Sequence, residues 1–102
     1  MRFTQTTDWV LQALARGHHH GFDIMDATGL ASGTVYPILR RLNGEGLVRS
    51  TWERETVARR EHRPTRRYYE LTSTGAKAAQ HAAARSRARA RRGAMTPLPG
   101  ED

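Results

Sequence analysis

The sequence predicts a mainly helical α+β fold, in which three short helices are followed by one β-hairpin and a long C-terminal helix. Apolar residues recur at helical spacing before residue 45, they alternate in two short segments beyond it, and an Ala- and Arg-rich stretch follows residue 72. A chain of 102 residues has room for one small domain and an appended helix, but it buries only a modest core. A partner subunit would therefore add stability.

The most informative segment is the third predicted helix, which starts near Ser32. One side of it carries apolar residues at positions i, i+3, i+4 and i+7: Val35, Ile38, Leu39 and Leu42. The opposite side carries a different set: Gly33, Tyr36, Pro37, Arg40 and Arg41. A short helix that buries one side and offers a phenol and two guanidinium groups on the other suits insertion into the DNA major groove.

The two ends of this helix are also marked in the sequence. Ser32 is a candidate N-cap, but Pro37 conflicts with a helix interior because it lacks an amide proton. A regular helix that begins near Thr34 removes this conflict, and residues 32–34 then form the approach where free amides can meet a phosphate. Gly44 and Gly46 predict the end of the helix.

Two helices are expected before this one. The first is predicted over Thr7–Arg16, with Thr6 or Thr7 as its cap. The second is predicted over Gly21–Ala27, and residues 28–31 join it to the third helix, which makes a helix-turn-helix. Three side chains of the second helix are expected to face inward: Phe22, Ile24 and Met25.

A β-hairpin with a long basic tip is expected after the third helix. Side chains alternate over Leu47–Glu53 and Arg67–Leu71, and the polar segment Arg54–Arg66 between them shows no apolar periodicity. Trp52 is expected in the core or in hairpin packing, and one ring of the Tyr68–Tyr69 pair should face the core. Several arginines lie on or beside the tip: Arg59, Arg60, Arg63, Arg66 and Arg67. The tip is either a solvated charged loop or, as we favour beside a helix-turn-helix, a contact to DNA.

The C-terminal helix is predicted over residues 73–92, with Thr72 or Ser73 as its cap. Small residues, among them Ala76, Ala79 and Ala83, form one face, which favours close packing against a second copy of the chain. The alternative is a solvated basic helix that frays beyond about Arg85. Residues 93–102, with two prolines, are expected to be disordered.

Positive charge is concentrated in the second half of the chain. The net charge is +7. Residues 1–53 hold five basic and five acidic residues, whereas residues 54–92 hold twelve basic and three acidic ones, a net charge of +9. This concentration points to a polyanion, although GC-rich codons also favour Arg.

Composition and motifs argue against catalysis, metal binding and membrane insertion. There is no cysteine, Gly-rich phosphate loop, nucleophile elbow or carboxylate pair in an apolar setting. The triplet His18–His20 is not expected to hold a metal, because neighbouring side chains diverge and no acidic residue stands at a suitable spacing. No apolar run approaches the roughly 18–20 residues that cross a bilayer, and the N-terminus lacks a signal-peptide pattern. We expect a cytoplasmic non-enzyme without cofactors.

Two stretches of this sequence resemble the PadR family of bacterial transcriptional regulators. They are HGFDIMDATGLASGTVYPILRRLNGEGLVRSTWE and HRPTRRYYELTSTGAKA, and the resemblance covers about Trp9 to Ala79. Its most specific pieces are SGTVYPILRRL and RRYYELT. The resemblance implies a winged helix-turn-helix domain over residues 1–72, a homodimer formed by the helix at 73–92, and repression from a palindromic operator. In one departure, His62 stands where family wings usually carry glycine before Arg-Pro.

The sequence therefore predicts a DNA-binding regulator whose partners are double-stranded DNA, a second copy of the chain and a small-molecule effector of unidentified chemistry. Two alternatives remain open: a weakly specific architectural DNA-binding protein, and a ligand-binding dimer without DNA function. The residues expected to contact DNA are Ser32, Gly33, Thr34, Tyr36, Arg40, Arg41, Arg63, Arg66 and Arg67.

Overall fold

A computed structural model describes residues 2–92 of the protein. Along the chain its elements are α1 (Gln5–Ala15), α2 (Gly21–Thr28), α3 (Ser32–Gly44), β1 (Val48–Trp52), α4 (Glu55–Arg60), β2 (Arg67–Leu71) and α5 (Ser73–Arg91). Helices α2 and α3 form the helix-turn-helix, and residues 48–71 form the wing, so the predicted winged helix fold is confirmed. The predicted disorder of residues 93–102 lies outside the described residues.

The apolar stripe of α3 lies at the centre of the core, as predicted. Val35, Leu39 and Leu42 are fully buried, and Ile38 is 2% exposed. Apolar residues of the other elements surround this stripe: Val10, Leu11, Leu14, Ile24, Leu47, Val48, Tyr69, Ala79 and Ala82. Packing of its aliphatic side therefore holds α3 in place, and the other side of the helix faces solvent.

Helix α1 begins earlier than predicted, and its cap is a different threonine. Thr4 is the N-cap, and its hydroxyl accepts a hydrogen bond from the amide of Thr7 at 3.3 Å. Thr7 is buried, with its own hydroxyl 3.0 Å from that of Thr4. The assignment of the cap to Thr6 or Thr7 was therefore wrong.

The inward side of α2 differs from the prediction at Phe22, which is 69% exposed. Gly21, Ile24 and Thr28 form the buried side, at i, i+3 and i+7. Phe22 lies two residues from Ile24, which is about 200° around the helix axis, and so it faces away from the core. The prediction for Phe22 was wrong because an eight-residue helix buries only one narrow stripe.

Helix α3 begins at Ser32, with Ala31 as its N-cap, so Ser32 is not the cap and the predicted start near Thr34 was wrong. The amide of Val35 already donates to the carbonyl of Ala31 at 3.0 Å. Pro37 therefore lies inside the helix. The carbonyl left without a donor belongs to Gly33, which is exposed, so water can satisfy it.

Residues with left-handed backbone end two helices, α3 before the wing and α4 within it. Gly46 has φ 74°, and the amide of Leu47 bonds back to the carbonyl of Leu42 at 2.9 Å, which stops α3 as predicted. His62 has φ 55°, and the amide of Arg63 bonds back to the carbonyl of Ala58 at 3.1 Å. His62 thus occupies the kind of backbone position for which glycine is favoured.

The wing contains a helix that the sequence did not predict. Strand β2 matches its prediction, and β1 is one residue shorter at each end; they pair antiparallel from Val48↔Leu71 to Trp52↔Arg67. Between them α4 buries Ala58, a single small residue that produces no periodicity in the sequence. Tyr69 is buried in the core while its neighbour in the Tyr pair is half-buried, as alternation requires.

Trp52 does not lie in the core. It is 65% exposed, at the end of the hairpin from which the chain continues into α4, where it pairs with Arg67. Within the hairpin it packs against Arg67, whose guanidinium lies 5.4 Å from the ring centre. The expectation of hairpin packing holds, and that of a core position was wrong.

Helix α5 runs to Arg91 with Thr72 as its cap, whose hydroxyl accepts from the amide of Gly75 at 3.1 Å. Its small residues form the predicted free face only in part, since Ala76 is exposed and Ala83 is half-buried. Ala78, Ala79 and Ala82 are buried within the chain, and α1 is the helix with which α5 makes its most extensive contact. The close approach that small residues permit is thus used, at least in part, inside a single chain.

A buried carboxylate holds the second half of α5 to α1. Asp8 is fully buried and accepts from Nε and Nη2 of Arg85 at 2.9 and 2.8 Å. Arg89 approaches the same carboxylate at 3.5 Å, and Gln12 donates to the hydroxyl of Ser86 at 2.8 Å. These contacts explain why α5 continues beyond Arg85 in place of the fraying considered from the sequence.

Candidate nucleic-acid interface

The outward side of α3 is open to solvent. Tyr36 is 38% exposed, and Arg40 and Arg41 are exposed as well. Ser32 and Gly33 are exposed in the first turn, where no side chain caps the helix. The amide of Thr34 donates to the carbonyl of Ala31 at 3.0 Å. The first amides of a helix, here those of Ser32 and Gly33, have no partner within the helix, so they are available to an anion such as a phosphate. Thr34 is half-buried beside them.

The ring of Tyr36 is positioned by a glycine on α2. A Cβ built on Gly21 would overlap the hydroxyl and the adjoining ring atoms of Tyr36. Gly21 is buried at the first position of α2. The absence of a side chain there lets the Tyr36 ring lean from α3 across the start of α2. The sequence suggested Gly21 only as a helix start, since a contact across fifteen residues leaves no local pattern.

Substitution Gly21→Ala is expected to displace Tyr36 and to weaken DNA binding about fivefold or more, as loss of a positioned contact does. The added methyl group meets the end of a partly exposed side chain, which can swing away, so the free energy of unfolding should change by no more than about 1 kcal/mol. Fluorescence anisotropy with labelled duplex and urea unfolding measure the two effects.

Gly44→Ala is the matched control for Gly21→Ala, since a Cβ there meets nothing within 4 Å. In a Tyr36→Ala background, Gly21→Ala should have no further effect on DNA affinity. An equal loss in both backgrounds would show that Gly21 acts other than through Tyr36.

Glu53 is the centre of a polar cluster that closes the wing. Its carboxylate accepts from Nη1 and Nη2 of Arg63 at 2.5 and 2.8 Å. The Tyr68 hydroxyl donates to it at 3.0 Å, and the backbone amide of Arg66 donates at 3.4 Å. The hydrogen bonds from Arg63, and then those from Tyr68 and Arg66, lower the pKa of Glu53 to about 2. Glu53 is therefore ionised at neutral pH, and it links the end of β1 to the segment that returns from α4 into β2.

Sequence reasoning missed Glu53 and gave Arg63 a different role. Arg63 was expected to contact DNA, but both of its terminal nitrogens bond to Glu53 and its side chain is 22% exposed. An acidic residue directly after β1, facing an arginine-rich return segment, is the sequence feature that could have indicated the pair.

Arg66 and Arg67 present the cationic groups of the wing. Arg67 is exposed, donates to the hydroxyl of Ser50 at 2.7 Å and stacks on Trp52. The guanidinium of Arg66 has no hydrogen-bond or ion-pair partner among residues 2–92. A cation without an internal partner is available to a phosphate.

The histidine triplet joins α2 to the wing. Nδ1 of His18 lies 3.0 Å from the carboxylate of Asp23. The amide of Tyr69 donates to the carbonyl of His19 at 2.7 Å, and Nδ1 of His19 lies 3.0 Å from the carbonyl oxygen of Tyr69. His20 packs edge-on against Tyr68. Burial, and then the charge of Arg66, lowers the pKa of His20, so it is neutral at pH 7.

The three histidines point to three different partners. Within residues 2–92 no group of three His, Asp or Glu side chains could hold a metal ion. Across the same residues, no helix combines the length and the apolar character that spanning a bilayer demands.

Comparisons with known proteins agree with this geometry. The chain matches the Transcriptional regulator PadR-like family over residues 10–81. It shares its fold with a PadR family transcription regulator from hypervirulent Clostridium difficile R20291, at 21% identity and a TM-score of 0.69 over 82% of this chain and 88% of the other. A transcriptional regulator from Clostridium thermocellum aligns at 21% identity and a TM-score of 0.64 over 84% of each chain.

A PadR family regulator from Eggerthella lenta DSM 2243 also shares the fold, at 21% identity and a TM-score of 0.61 over 82% of this chain and 76% of the other. No curated protein matches the chain. Likeness at this identity shows the fold alone, whereas the family match covers well over half of the sequence. The winged helix protein described here therefore belongs to the PadR-like family of transcriptional regulators.

Proposed function

We propose that the protein is a sequence-specific DNA-binding repressor that acts in the cytoplasm as a homodimer on a palindromic operator. The observation that carries this proposal is that only one side of α3 is buried. Its aliphatic side lies in the core, while Tyr36 and Arg40 are exposed to solvent. Such a helix can enter the major groove without any rearrangement of the core.

The proposed contacts divide between α3 and the wing. Tyr36, Arg40 and Arg41 meet base edges and flanking phosphates, and the amides of Ser32 and Gly33 bind a phosphate at the helix start, beside Thr34. Arg66 and Arg67 lie along the neighbouring backbone. Arg63 has an indirect role in this proposal, because it holds the wing closed through Glu53.

A second copy is proposed to pack on α5 and the adjoining start of the chain. Support comes from a shallow, mainly apolar surface that joins Phe3, Leu47, Ala78 and His81. The two-fold symmetry of the dimer then requires half-sites about 34–36 Å apart, or a multiple of this distance. A small-molecule effector that changes the angle between the two wings would relieve repression.

An architectural DNA-binding protein is the second candidate, and the basic character of α5 favours it. Arg87 and Arg91 are exposed on this helix, and neither is part of the α3 surface. An architectural protein would bind through such phosphate contacts alone, with little dependence on α3.

Removal of one positive charge from each surface separates these candidates. The test measures binding to duplex from the protein's own upstream region against random duplex, at two salt concentrations, for Arg40→Ala and Arg87→Ala. For a specific regulator, Arg40→Ala should reduce the preference for upstream DNA by about 1–3 kcal/mol, and Arg87→Ala should leave it unchanged.

Equal losses of overall affinity in both variants, with no change in preference, would favour the architectural candidate. If the unaltered protein shows no salt-sensitive association with any duplex, the DNA-binding proposal is wrong and a ligand-binding dimer remains.

A further inference from the structure

Two large aromatic side chains lie exposed on either side of a cleft between the helix-turn-helix and the wing. Phe22 of α2 is 69% exposed, and Trp52 of β1 is 65% exposed. Among the large apolar side chains of residues 2–92, these two are the most exposed. Large aromatic groups exposed around one cleft form an apolar surface of the kind that receives a ligand or a partner.

The space between them, here called the wing cleft, has a volume of about 420 Å³. Its lining includes the buried residues Gly21 and Tyr69, and Tyr36 of α3. Arg66 and Arg67 line it as well. The cleft therefore combines apolar aromatic surfaces with two guanidinium groups.

The wing cleft is continuous with the proposed DNA-reading surface. Tyr36 lines this cleft, and it also lines a smaller neighbouring depression together with Arg40, Asn43 and Arg67. A duplex whose major groove receives α3 and whose neighbouring backbone meets the wing must carry one strand across the gap between them. That strand presents apolar deoxyribose rings and anionic phosphates in alternation, which matches the chemistry of the cleft.

We propose that the wing cleft holds one sugar–phosphate strand of the DNA, with deoxyribose rings packed on Phe22 and Trp52 and a phosphate on Arg66. This inference rests on the proposed DNA-binding function and adds two contact residues that do not read sequence. Because every nucleotide carries the same sugar, the contacts raise affinity for operator and random duplex alike.

Salt dependence distinguishes the aromatic contacts from the ionic one. Phe22→Ala and Trp52→Ala should each lower the affinity for duplex about five- to tenfold, through lost apolar burial. Neither should change the slope of log K against log salt, because no counterion is released by an apolar side chain. Arg66→Gln should reduce that slope by about 0.9. Phe22→Tyr and Trp52→Phe retain aromatic surface and are the matched controls, with affinities close to that of the unaltered protein.

Fluorescence gives an independent measurement. The chain has two tryptophans, so Trp9→Phe leaves Trp52 as the only one. Its emission should change on saturation with duplex.

If both alanine variants bind upstream duplex within twofold of the unaltered protein at every salt concentration, the inference is wrong while the proposed function stands. If the emission of Trp52 changes with benzoate and does not change with saturating duplex, the cleft binds a small organic anion. That result would also overturn the inference. Failure of the unaltered protein to bind any duplex would instead remove the proposed function on which the inference rests.

Discussion

Asp8→Ala is expected to lower the free energy of unfolding by about 2–3 kcal/mol. Breaking a buried ion pair costs about 3–5 kcal/mol when the remaining charge stays buried. The cost here is smaller because the Arg85 and Arg89 side chains are 38% and 28% exposed, so water can hydrate them after the carboxylate is lost. Urea unfolding measures the effect, and amide exchange should accelerate in the second half of α5.

The control for Asp8→Ala is Asp26→Ala, which removes an exposed acidic residue from α2. It should change stability by less than about 0.5 kcal/mol. A double-mutant cycle with Arg85→Ala measures the coupling energy between Asp8 and Arg85. It separates this energy from the stabilisation that Asp8 gives as a negative charge in the first turn of α1. A coupling energy near zero would show that the contact between α1 and α5 depends on apolar packing alone.

Glu53→Gln is expected to weaken DNA binding about tenfold at pH 7. The variant wing should be closed in only a fraction of the molecules, and the apparent affinity for DNA falls in proportion to that fraction. The direction of this change is informative. Loss of a negative charge by itself would strengthen association with DNA. Weaker binding would therefore show that Glu53 acts by holding Arg63, Tyr68 and the backbone of Arg66 in place.

Glu55→Gln is the matched control, because it removes the same charge from an exposed pair with Arg59. It should bind duplex as tightly as the unaltered protein or slightly more tightly. If both variants bind more tightly, the structural role of Glu53 is contradicted.

The acid response of the wing provides a further check on Glu53. The pKa of Glu53 in the folded protein is lowered from 4.5 to about 2. Its contribution to stability is therefore complete above pH 4.5, and it is lost as the pH falls from 4.5 toward 2. Thermal unfolding of the unaltered protein should show this loss, and Glu53→Gln should lack that component.

The parts of the structure that the sequence predicted are those encoded by local periodicity. The stripe on α3 recurs at helical spacing, β2 alternates, and α5 is composed of strong helix formers, so each could be recognised within a window of about ten to twenty residues. The open side of α3 followed directly, because the residues opposite a buried stripe must face outward. The winged helix arrangement came from the resemblance to a family.

The parts that were missed depend on pairing between distant segments. Glu53 meets Arg63 and Tyr68 only after the hairpin closes, and Gly21 meets Tyr36 only after α2 packs on α3. The exposed position of Trp52 likewise depends on where the hairpin ends. Apolar content alone suggested burial for Phe22 and Trp52, and their exposure is the reason that the wing cleft could not be foreseen.

The central claim, that the start of α3 enters the DNA, can be tested with a tethered cleavage reagent. The chain has no cysteine, so one introduced thiol carries the reagent to a single position. Gly33 and Gly44 stand near opposite ends of α3, and a Cβ at either meets no atom within 4 Å. An iron chelate on Gly33→Cys should cut upstream duplex at two symmetric positions, and the same chelate on Gly44→Cys should cut weakly or not at all. Cutting from Gly44→Cys with none from Gly33→Cys would contradict the account.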